Sequence, residues 1–324
     1  MSVKLVDLFC GAGGFSTGFA QLKPSLHVGI DYDQIALETF SRNHPDGITY
    51  HTDISTLHAN HIISMLDGHP DIVLASPPCE EFSLANPKSA ESAINRIYGD
   101  GSARLILDAI RLIGDLNPSV FIIENVAAVL KGDGASVIRS ELERIGMDRI
   151  HFNLIRCHHH GNPSKRLRVF ISNRKIRLSK TIPSRVIDVI GDLPPLDVTT
   201  ILSPHRHMPN HDYVPVSKDK LKRIRRTRWG FGARHVRVSR RRTLKDWVRL
   251  HPKQVSTSII GKSRYIHPYE NRLLTVREHA RLMSYPDEYI FKGHTDSQFD
   301  QVGESVPPVV SQKIAEEVMR QIDK

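Results

Sequence analysis

The chain has 324 residues, of which 40% are hydrophobic, and a net charge of +10. This length supports one large domain, or a large and a small domain, and the three cysteines, without a C-x-x-C spacing, argue against a disulfide scaffold or a cysteine zinc site. Because no apolar run approaches the roughly 20 residues that cross a bilayer and no signal-peptide pattern opens the chain, we expect a cytoplasmic protein that does not bind membranes.

Short β-type runs alternate with helix-length segments over the first 172 residues. Such alternation is typical of βαβ units, and it predicts an α/β fold with a parallel, doubly wound sheet that binds ligands at the carboxyl ends of its strands. The enrichment in Val, Ile, Leu and Phe predicts strands at 3–9, 26–31, 48–51, 71–75, 120–124 and 168–172, with helices that include 34–42 and 103–116.

The first predicted strand runs into a glycine-rich turn, Asp7 to Phe15, in which the backbone can approach a ligand closely. The dinucleotide fingerprint G-x-G-x-x-G would need a glycine where Ser16 stands, so a nicotinamide enzyme matches poorly. Asp31, at the end of the second strand, could accept ribose hydroxyls, and Asp53, after the third, could meet an adenine amino group. An aspartate at a strand end can instead be a helix cap, but the combination favours a nucleoside-type ligand.

Cys79 follows two prolines in the segment Ser76 to Ser83, which comes directly after the fourth strand. The prolines stiffen this loop. A lone cysteine is usually a small buried hydrophobe, but here the next strand ends in Glu124 after four apolar residues, so an acid is placed near the thiol. A thiol titrates at about 8.5, so Cys79 would also need a nearby positive charge or helix end to react as a thiolate.

The sequence changes character after about residue 175, where a Pro-rich stretch leads into a basic segment, 217–264. This basic segment holds 17 Lys or Arg against two Asp, so the rest of the chain carries −5. A charge run is often only a solvated face or a tail, but Trp229, Phe231, Trp247 and Tyr265 are interspersed here or adjacent, which favours nucleic-acid contact. Helical patterns return from Leu274 and again from about 308 to 322.

The run Cys157 to His160 has the residue types of a zinc site. Consecutive residues of an extended segment point to opposite faces, however, so they make poor joint ligands. We therefore expect no metal.

Together these segments resemble the ordered motifs of the DNA cytosine-5 methyltransferase family, of the prokaryotic restriction-modification type. The turn, the cysteine loop and Glu124 to Val126 match its first motifs. Later matches, in the family's order, are residues 161–170, 272–287 and 301–308.

The resemblance implies that Cys79 adds to carbon 6 of a flipped-out cytosine while Glu124 hydrogen-bonds or protonates ring nitrogen 3, so that carbon 5 becomes nucleophilic. Arg166 would hold the base or an adjacent phosphate, with Arg168 in support. The methyl donor would be S-adenosylmethionine. Its implied binding residues are Phe9, Gly11, Ala12, Gly14, Asp31, Tyr32, Asp53, Ile54, Pro78, Ser305 and Val306.

The implied fold is a Rossmann-like S-adenosylmethionine-dependent methyltransferase domain, residues 1–175 plus 271–324, with a smaller target-recognition domain at 176–270. The expected macromolecular partner is duplex DNA, which the smaller domain would read in the major groove. A cognate restriction endonuclease acting on the same site is a candidate partner, and we expect a monomer.

Two alternatives stay open at this point, and a third, an oxidoreductase, fails because the third glycine of the dinucleotide fingerprint is missing. A tRNA cytosine-5 methyltransferase would share the catalytic residues, although its cysteine loop usually has Thr where Ser83 stands. An inactive nucleic-acid-binding relative would be expected to lack Cys79 or Glu124, and an oxidoreductase leaves the prolines and the basic segment unexplained. Two departures from the family pattern, Ser164 in place of Gln and Glu304 in place of Asn, weaken the assignments around them.

Overall fold

The computed structural model describes residues 3–82, 92–196, 208–239 and 242–322. The chain divides into two compact units. Unit 1 comprises Met1–Arg156, Leu167–Ser179 and Val310–Lys324, and unit 2 comprises Cys157–Arg166 and Lys180–Val309. Ser83, Arg240 and Arg241 lie outside the described residues.

Unit 1 is built on a seven-stranded sheet with the order β3-β2-β1-β4-β5-β7-β6. The first five strands are parallel, which confirms the predicted α/β sheet, but β7 is antiparallel to both β5 and β6. No crossover helix joins β6 to β7, so antiparallel pairing is available to them. The strands are β1 (Lys4–Leu8), β2 (Leu26–Asp31), β3 (Ile48–His51), β4 (Ile72–Ala75), β5 (Val120–Val126), β6 (His151–Arg156) and β7 (Leu167–Ser172).

Successive side chains of a strand point to opposite faces of the sheet, and in these strands apolar residues occupy both faces, so helices pack on both. The helices of unit 1 are α1 (Gly14–Ala20), α2 (Gln34–Asn43), α3 (Ala59–Leu66), α4 (Ala93–Ile97), α5 (Leu105–Leu116), α6 (Gly134–Arg144) and most of α11 (Pro308–Ile322). One face packs against α3, α5 and α6 in a single apolar cluster. On the other face, a Cβ on Gly29 would lie 2.6 Å from the Phe40 ring of α2, so β2 and α2 are in close contact.

The C-terminal helix α11 packs directly on α1. A Cβ on Gly18 would lie 2.1 Å from the backbone nitrogen of Gln312, so only glycine fits there. The Ser311 hydroxyl donates a hydrogen bond to the Phe15 carbonyl. The end of the chain therefore completes the layer that holds the glycine-rich turn.

Unit 2 contains α7 (Val186–Ile190), α8 (Lys218–Arg226), α9 (Val276–Leu282), α10 (Thr295–Glu304) and a three-stranded sheet of β8 (Gly232–Ser239), β9 (Arg242–Arg249) and β10 (Tyr265–Ile266). Its apolar cluster around α8 and the hairpin is small, consisting of Ile224, Trp247, Ile266 and Leu273 with partly buried neighbours. Buried polar groups therefore carry much of the local order.

The expected boundary at residue 270 lies inside unit 2, because residues 271–309 pack with the segments before them. Arg277 of α9 is buried and donates hydrogen bonds to the carbonyls of Pro209, Pro286 and Tyr289. Asn210 is bonded in both directions to the backbone of Phe291. Within the described residues, no helix combines the length and the apolar character needed to span a membrane.

Candidate active site

The strand order reverses between β1 and β4, since β1 leads outward to β2 and β4 to β5. The loops that leave the carboxyl ends of these two strands therefore diverge and form a crevice, where open α/β sheets bind ligands. The loop after β1 is the glycine-rich turn, and the loop after β4 carries Cys79. The sequence-predicted cofactor and nucleophile segments thus meet at one point of the sheet.

The glycine-rich turn is held in a left-handed backbone conformation at three positions, with φ of 58° at Phe9, 51° at Gly11 and 88° at Gly13. An added Cβ on Gly11 would meet nothing within 4 Å. Ala12 and Gly14 are buried beneath the turn. Gly11 therefore presents bare backbone to an open space, as a cradle for a ligand requires.

Asp31 fixes this turn. Its carboxylate accepts hydrogen bonds from the backbone nitrogens of Gly11, at 2.7 Å, and Asp33, at 2.9 Å. Burial raises the pKa of Asp31, while these hydrogen bonds act in the opposite direction. One carboxylate thus orders the turn from the end of the neighbouring strand.

A chain of three polar side chains lies under the turn, where Ser16 bridges Asp7 and His27. The Ser16 hydroxyl lies 2.7 Å from Asp7 Oδ2 and 2.8 Å from His27 Nε2. Burial raises the pKa of Asp7 to about 7, against the effect of the Ser16 bond, and burial lowers the pKa of His27 to about 3. Asp7 and His27 are therefore both inclined to be neutral, although sequence reasoning gave neither a role.

The remaining cofactor candidates on β2 and β3 differ in setting. Tyr32 is 72% exposed, and its carbonyl lies 2.7 Å from His51 Nε2. Asp53 accepts hydrogen bonds from the backbone and the hydroxyl of Ser55, so it caps the short 3-10 helix that begins at the buried Ile54. The capping alternative is thus realised at Asp53.

The cysteine loop is fastened to the end of β5. Asn125, fully buried, donates a hydrogen bond from Nδ2 to the Pro77 carbonyl at 3.2 Å. Pro78 and Cys79 are partly exposed, and the Cys79 carbonyl accepts from the Phe82 backbone. The motif around Glu124 was recognised in the sequence, but the role of Asn125 in holding the Cys79 loop was not.

Arg96 supports the far side of the same loop and was also missed. Its guanidinium donates to the Glu81 carbonyl at 2.9 Å and lies 4.8 Å from the centroid of the Phe82 ring. Arg96 lies on the five-residue helix α4, whose sequence gives no periodic signal. The structure therefore fixes the cysteine loop from both ends.

Glu124 is paired with Arg168. Nε of Arg168 lies 2.9 Å from Oε1 of Glu124, and both side chains are largely buried. The pair arises from register, because β5 and β7 place Phe170 opposite Glu124 and Arg168 opposite Val126. Alternate residues share a face of the sheet, so the two side chains meet.

Arg166 lies in unit 2, at the end of its first segment, and not on β7. It is 1% exposed, and Nη1 donates to the carbonyls of Ile259, at 3.0 Å, and Gly303, at 2.9 Å. Sequence reasoning gave Arg166 the leading role and Arg168 support. Of these two arginines, Arg168 is the one that pairs with Glu124, and strand β7 begins one residue after Arg166.

Ser305 and Val306 also belong to unit 2, directly after α10. The Ser305 hydroxyl donates to the Val302 carbonyl, and Val306 is buried. The two departures from the family pattern differ: Ser164 is buried and bonded to Asn162, whereas Glu304 is exposed.

The segment expected to be extended at Cys157 forms a 3-10 helix through His159. A turn of helix does not alternate its side chains, and the rings of His158 and His159 lie 4.3 Å apart. No group of three or more metal-ligating side chains is found among the described residues.

Comparisons with known proteins point to one family, and each covers nearly the whole chain. A family model described as C-5 cytosine-specific DNA methylase matches residues 3–320. The protein M.MjaORF1200P of Methanocaldococcus jannaschii is 34% identical, over 97% of both chains. The type II methyltransferase M1.HphI of Haemophilus parahaemolyticus is 30% identical, over 99% of this chain and 87% of its own.

Among solved structures, a protein encoded within an E. coli prophage superposes with a TM-score of 0.79 at 23% identity, over 100% of both chains. The S. pombe Dnmt2 methyltransferase gives a TM-score of 0.65 at 18% identity, over 99% of both chains. At these identities the structural likeness concerns the fold.

Proposed function

We propose a specific reaction for this chain, which belongs to the C-5 cytosine-specific DNA methylase family and is a DNA cytosine-5 methyltransferase. It methylates carbon 5 of a cytosine within a specific duplex DNA sequence. The methyl donor is S-adenosylmethionine, and Cys79 forms a covalent adduct with carbon 6. The observation that carries this proposal is that Asn125 fastens the Cys79 loop, at Pro77, to β5, the strand that also carries Glu124, the partner of Arg168.

The turn after β1 fits the proposed cofactor. Gly11 offers bare backbone beside open space, and Asp31 holds that backbone in place from the next strand. The negative charge available at Asp31 suits a cationic ligand. S-adenosylmethionine, when bound there, would supply an electrophilic methyl group, and Phe9, Gly11, Ala12, Gly14, Asp31, Tyr32, Asp53, Ile54 and Pro78 are the residues of unit 1 that would hold it.

Cys79 would act as the nucleophile. Its thiolate forms a bond from Sγ to carbon 6 of the cytosine. The electron pair of the 5,6 double bond shifts to the 4,5 bond, and the pair of the 3,4 double bond moves to nitrogen 3, where Glu124 gives a proton or a hydrogen bond. Carbon 5 then takes up the methyl group, and the bond from that methyl to the donor sulfur breaks with its electron pair left on sulfur, so a neutral thioether departs. Nitrogen 3 gives its proton back to Glu124. Loss of the proton from carbon 5 returns an electron pair that expels Sγ, so the ring and the free thiolate are restored.

Arg168 would act through Glu124 and at the base. Its guanidinium at 2.9 Å orients the carboxyl group and stabilises the negative charge left on it after proton donation. Arg166 would position backbone through its two carbonyl partners. We thus assign the base-side role to Arg168.

The substrate would be bound with the target base extruded, because carbon 6 is shielded inside a stacked duplex, and extrusion costs a few kcal/mol. The basic segment of unit 2 supplies the phosphate attraction that can offset part of this cost. Since M1.HphI is named a type II methyltransferase, a restriction endonuclease of the same site is a proposed partner, and we propose that the enzyme acts as a monomer.

The decisive experiment is methyl transfer from radiolabelled S-adenosylmethionine to unmethylated duplex DNA and, separately, to bulk tRNA. We expect label in DNA as 5-methylcytosine. The rate of methyl transfer should fall by at least about 1000-fold in Cys79→Ser and be retained in Cys157→Ala, a control that removes a thiol from a buried position of unit 2. Label only in tRNA would change the substrate and keep the mechanism, whereas label in neither would indicate an inactive nucleic-acid-binding protein.

The covalent step has its own assay. DNA with 5-fluorocytosine at the mapped site cannot lose fluorine as a cation, so the adduct to Cys79 should persist through denaturation. A shifted band with the wild-type enzyme that is absent in Cys79→Ser is the expected result. Methylation without any trapped adduct would contradict the covalent mechanism.

A further inference from the structure

Three large aromatic side chains of unit 2 are exposed: Trp229 and Tyr269, whose rings are in contact, and Phe231, two residues after Trp229 in the chain; we call them the aromatic surface. Their exposed fractions are 45%, 56% and 59%. The Trp229 and Tyr269 rings meet edge to face at 6.1 Å. Grouped exposed aromatics of this size commonly mark an interaction site.

The turn that presents Phe231 is rigid. Gly230 adopts a φ of 76°, and its nitrogen donates to the Arg249 carbonyl at 2.8 Å. The Phe231 nitrogen donates to the Arg228 carbonyl, and the Arg249 nitrogen donates to the Phe231 carbonyl. Both backbone groups of Phe231 are therefore engaged, so its ring is displayed from a fixed position.

A buried arginine anchors this turn from below. The guanidinium of Arg249 donates to five oxygens, and Arg249 is 5% exposed. Burying a guanidinium costs free energy that these bonds offset. The five acceptors are the carbonyls of Ile224, Thr227, His267 and Glu270 and Oδ1 of Asn271.

Two cations, Lys245 and Arg228, lie next to residues of the aromatic surface, while neighbouring carboxylates are hydrogen-bonded to other side chains. Lys245 Nζ lies 5.2 Å from the centroid of the Phe231 ring, and Arg228 is exposed. Asp246 bonds to Ser263 at 2.7 Å, and Glu270 bonds to Arg272 at 2.8 Å. Because Glu270 is paired with Arg272, Lys245 and Arg228 remain as cations that can meet a negatively charged ligand.

We propose that the aromatic surface is a stacking site for an unstacked base of the bound DNA, with the Phe231 ring against the base and Lys245 at the neighbouring phosphate. Every base offers a π-face to an exposed aromatic ring, and phosphates match the cations around it. A duplex from which one base has been extruded exposes such faces. The inference rests on the proposed function, because it requires duplex DNA as the substrate.

Stacking and ionic contact can be separated by salt. The logarithm of the binding constant falls linearly with the logarithm of the salt concentration, at a slope set by the number of phosphates neutralised. Loss of a stacking contact lowers the affinity at every salt concentration. Loss of one phosphate contact reduces the slope by about 1.

The test measures binding of the full-length protein to a fluorescein-labelled duplex that contains the mapped methylation site, at several NaCl concentrations. We expect Phe231→Ala and Phe231→Leu to weaken binding by about tenfold with an unchanged slope, and Phe231→Tyr to bind within about threefold of the wild type. Lys245→Gln should reduce the slope by about 1. Tyr213→Ala, which removes another exposed aromatic of unit 2, should match the wild type.

Each outcome decides a different point. Suppose that the wild-type enzyme methylates and binds DNA, and that Phe231→Ala and Phe231→Leu bind DNA as tightly as the wild type. That result would overturn the stacking site and leave the proposed function intact. Equal weakening by Phe231→Ala and Phe231→Tyr would overturn it too, because the ring would be retained in the tyrosine variant. A wild-type enzyme that ignores DNA and binds tRNA through Phe231 would contradict both the DNA partner and the proposed function.

Discussion

The carboxyl edge of the unit 1 sheet and the basic segment of unit 2 differ in the burial and the bonding of their ionisable side chains. At the sheet edge, Asp7, Asp31 and Glu124 are buried and each is fixed by a hydrogen bond or ion pair under 3 Å. In the basic segment, side chains such as Arg234 and Lys245 are exposed. Reacting groups need fixed geometry, whereas phosphate attraction acts over several ångströms in water.

Among the described residues of the basic segment, Arg249 differs from these exposed cations, because it is buried and its guanidinium bonds to backbone carbonyls. Its counterpart in unit 2 is Arg166, also buried and bonded to carbonyls. Bonds to several backbone carbonyls thus distinguish Arg166 and Arg249 from exposed arginines such as Arg234. This difference yields predictions that the sequence alone would not give.

The largest expected effect separates the two arginines that flank Leu167. Arg168→Ala should lower kcat for DNA methylation by about 100-fold, because Glu124 loses its partner, and it should also lower the Tm, because a largely buried carboxylate is left unpaired. Arg166→Met should leave kcat near the wild-type value at low temperature. It should lower the Tm by roughly 4 to 8 °C, since two buried carbonyls lose a donor at a cost of about 2 kcal/mol.

Steady-state kinetics and thermal unfolding on the same preparations test this pair, with Arg168→Lys as a charge-preserving control. A kcat lost in Arg166→Met at an unchanged Tm would restore Arg166 to the base-side role. That result would also mean that bonds to buried carbonyls do not mark an arginine as structural.

The next effect concerns the basic segment itself. Arg249→Met should destabilise the turn at Phe231 by about 3 kcal/mol or more, because five buried acceptors lose their donor. Arg234→Gln, which removes an exposed arginine 3.7 Å from Asp246, should cost less than about 1 kcal/mol. Hydrogen exchange of the backbone amides of Gly230 and Phe231 reports the difference. Equal protection in the two variants would contradict the anchoring role of Arg249.

The smallest expected effect is a pH dependence at the sheet edge. The pKa of Asp7 is about 7 in the folded protein, against an ordinary value of 3.8, because the carboxyl is buried near Asp31. The folded state therefore holds a proton that the unfolded chain releases, so the stabilisation present below pH 3.8 is lost as the pH rises to about 7. Asp7→Asn should consequently gain Tm relative to the wild type between pH 5 and 7, with no further gain above about pH 7.

The histidines near Asp7 act in the opposite direction, and the comparison with Asp7→Asn removes their effect. Burial lowers the pKa of His27 to about 3 and that of His44 to about 4, so both cost stability as the pH falls below 6.5. They are common to the wild type and the variant. A Tm difference that is constant from pH 5 to 8.5 would show that Asp7 does not titrate in this range.

The sheet and the order of the site motifs could be predicted because short apolar strands bounded by turns leave a clear pattern. Strand β6, His151–Arg156, was missed because it lies at the sheet edge, where only Ile155 is buried, so its sequence lacks the apolar run of the inner strands. The hairpin of β8 and β9 was also missed, because its arginines hide the alternation. Burial against a partner, which makes these strands, is a property of the fold and leaves little trace in the local sequence.

The catalytic residues were proposed from their order, but their division of labour depended on single-residue boundaries. Arg166 and Arg168 look equivalent in sequence, and only the start of β7 at Leu167 separates them. The bond from Asn125 to Pro77 joins residues 48 apart. A sequence pattern cannot supply contacts of that separation, because they are created when the sheet assembles.

The packing of α11 on α1 has a consequence for the order of folding. Ser311 reaches Phe15 across 296 residues, and closing so long a loop is slow because its entropy must be overcome before the contact forms. All of unit 2 lies between the two partners in the chain. The glycine-rich turn should therefore be among the last features of unit 1 to become rigid, so cofactor binding would report complete folding and help to drive it to completion.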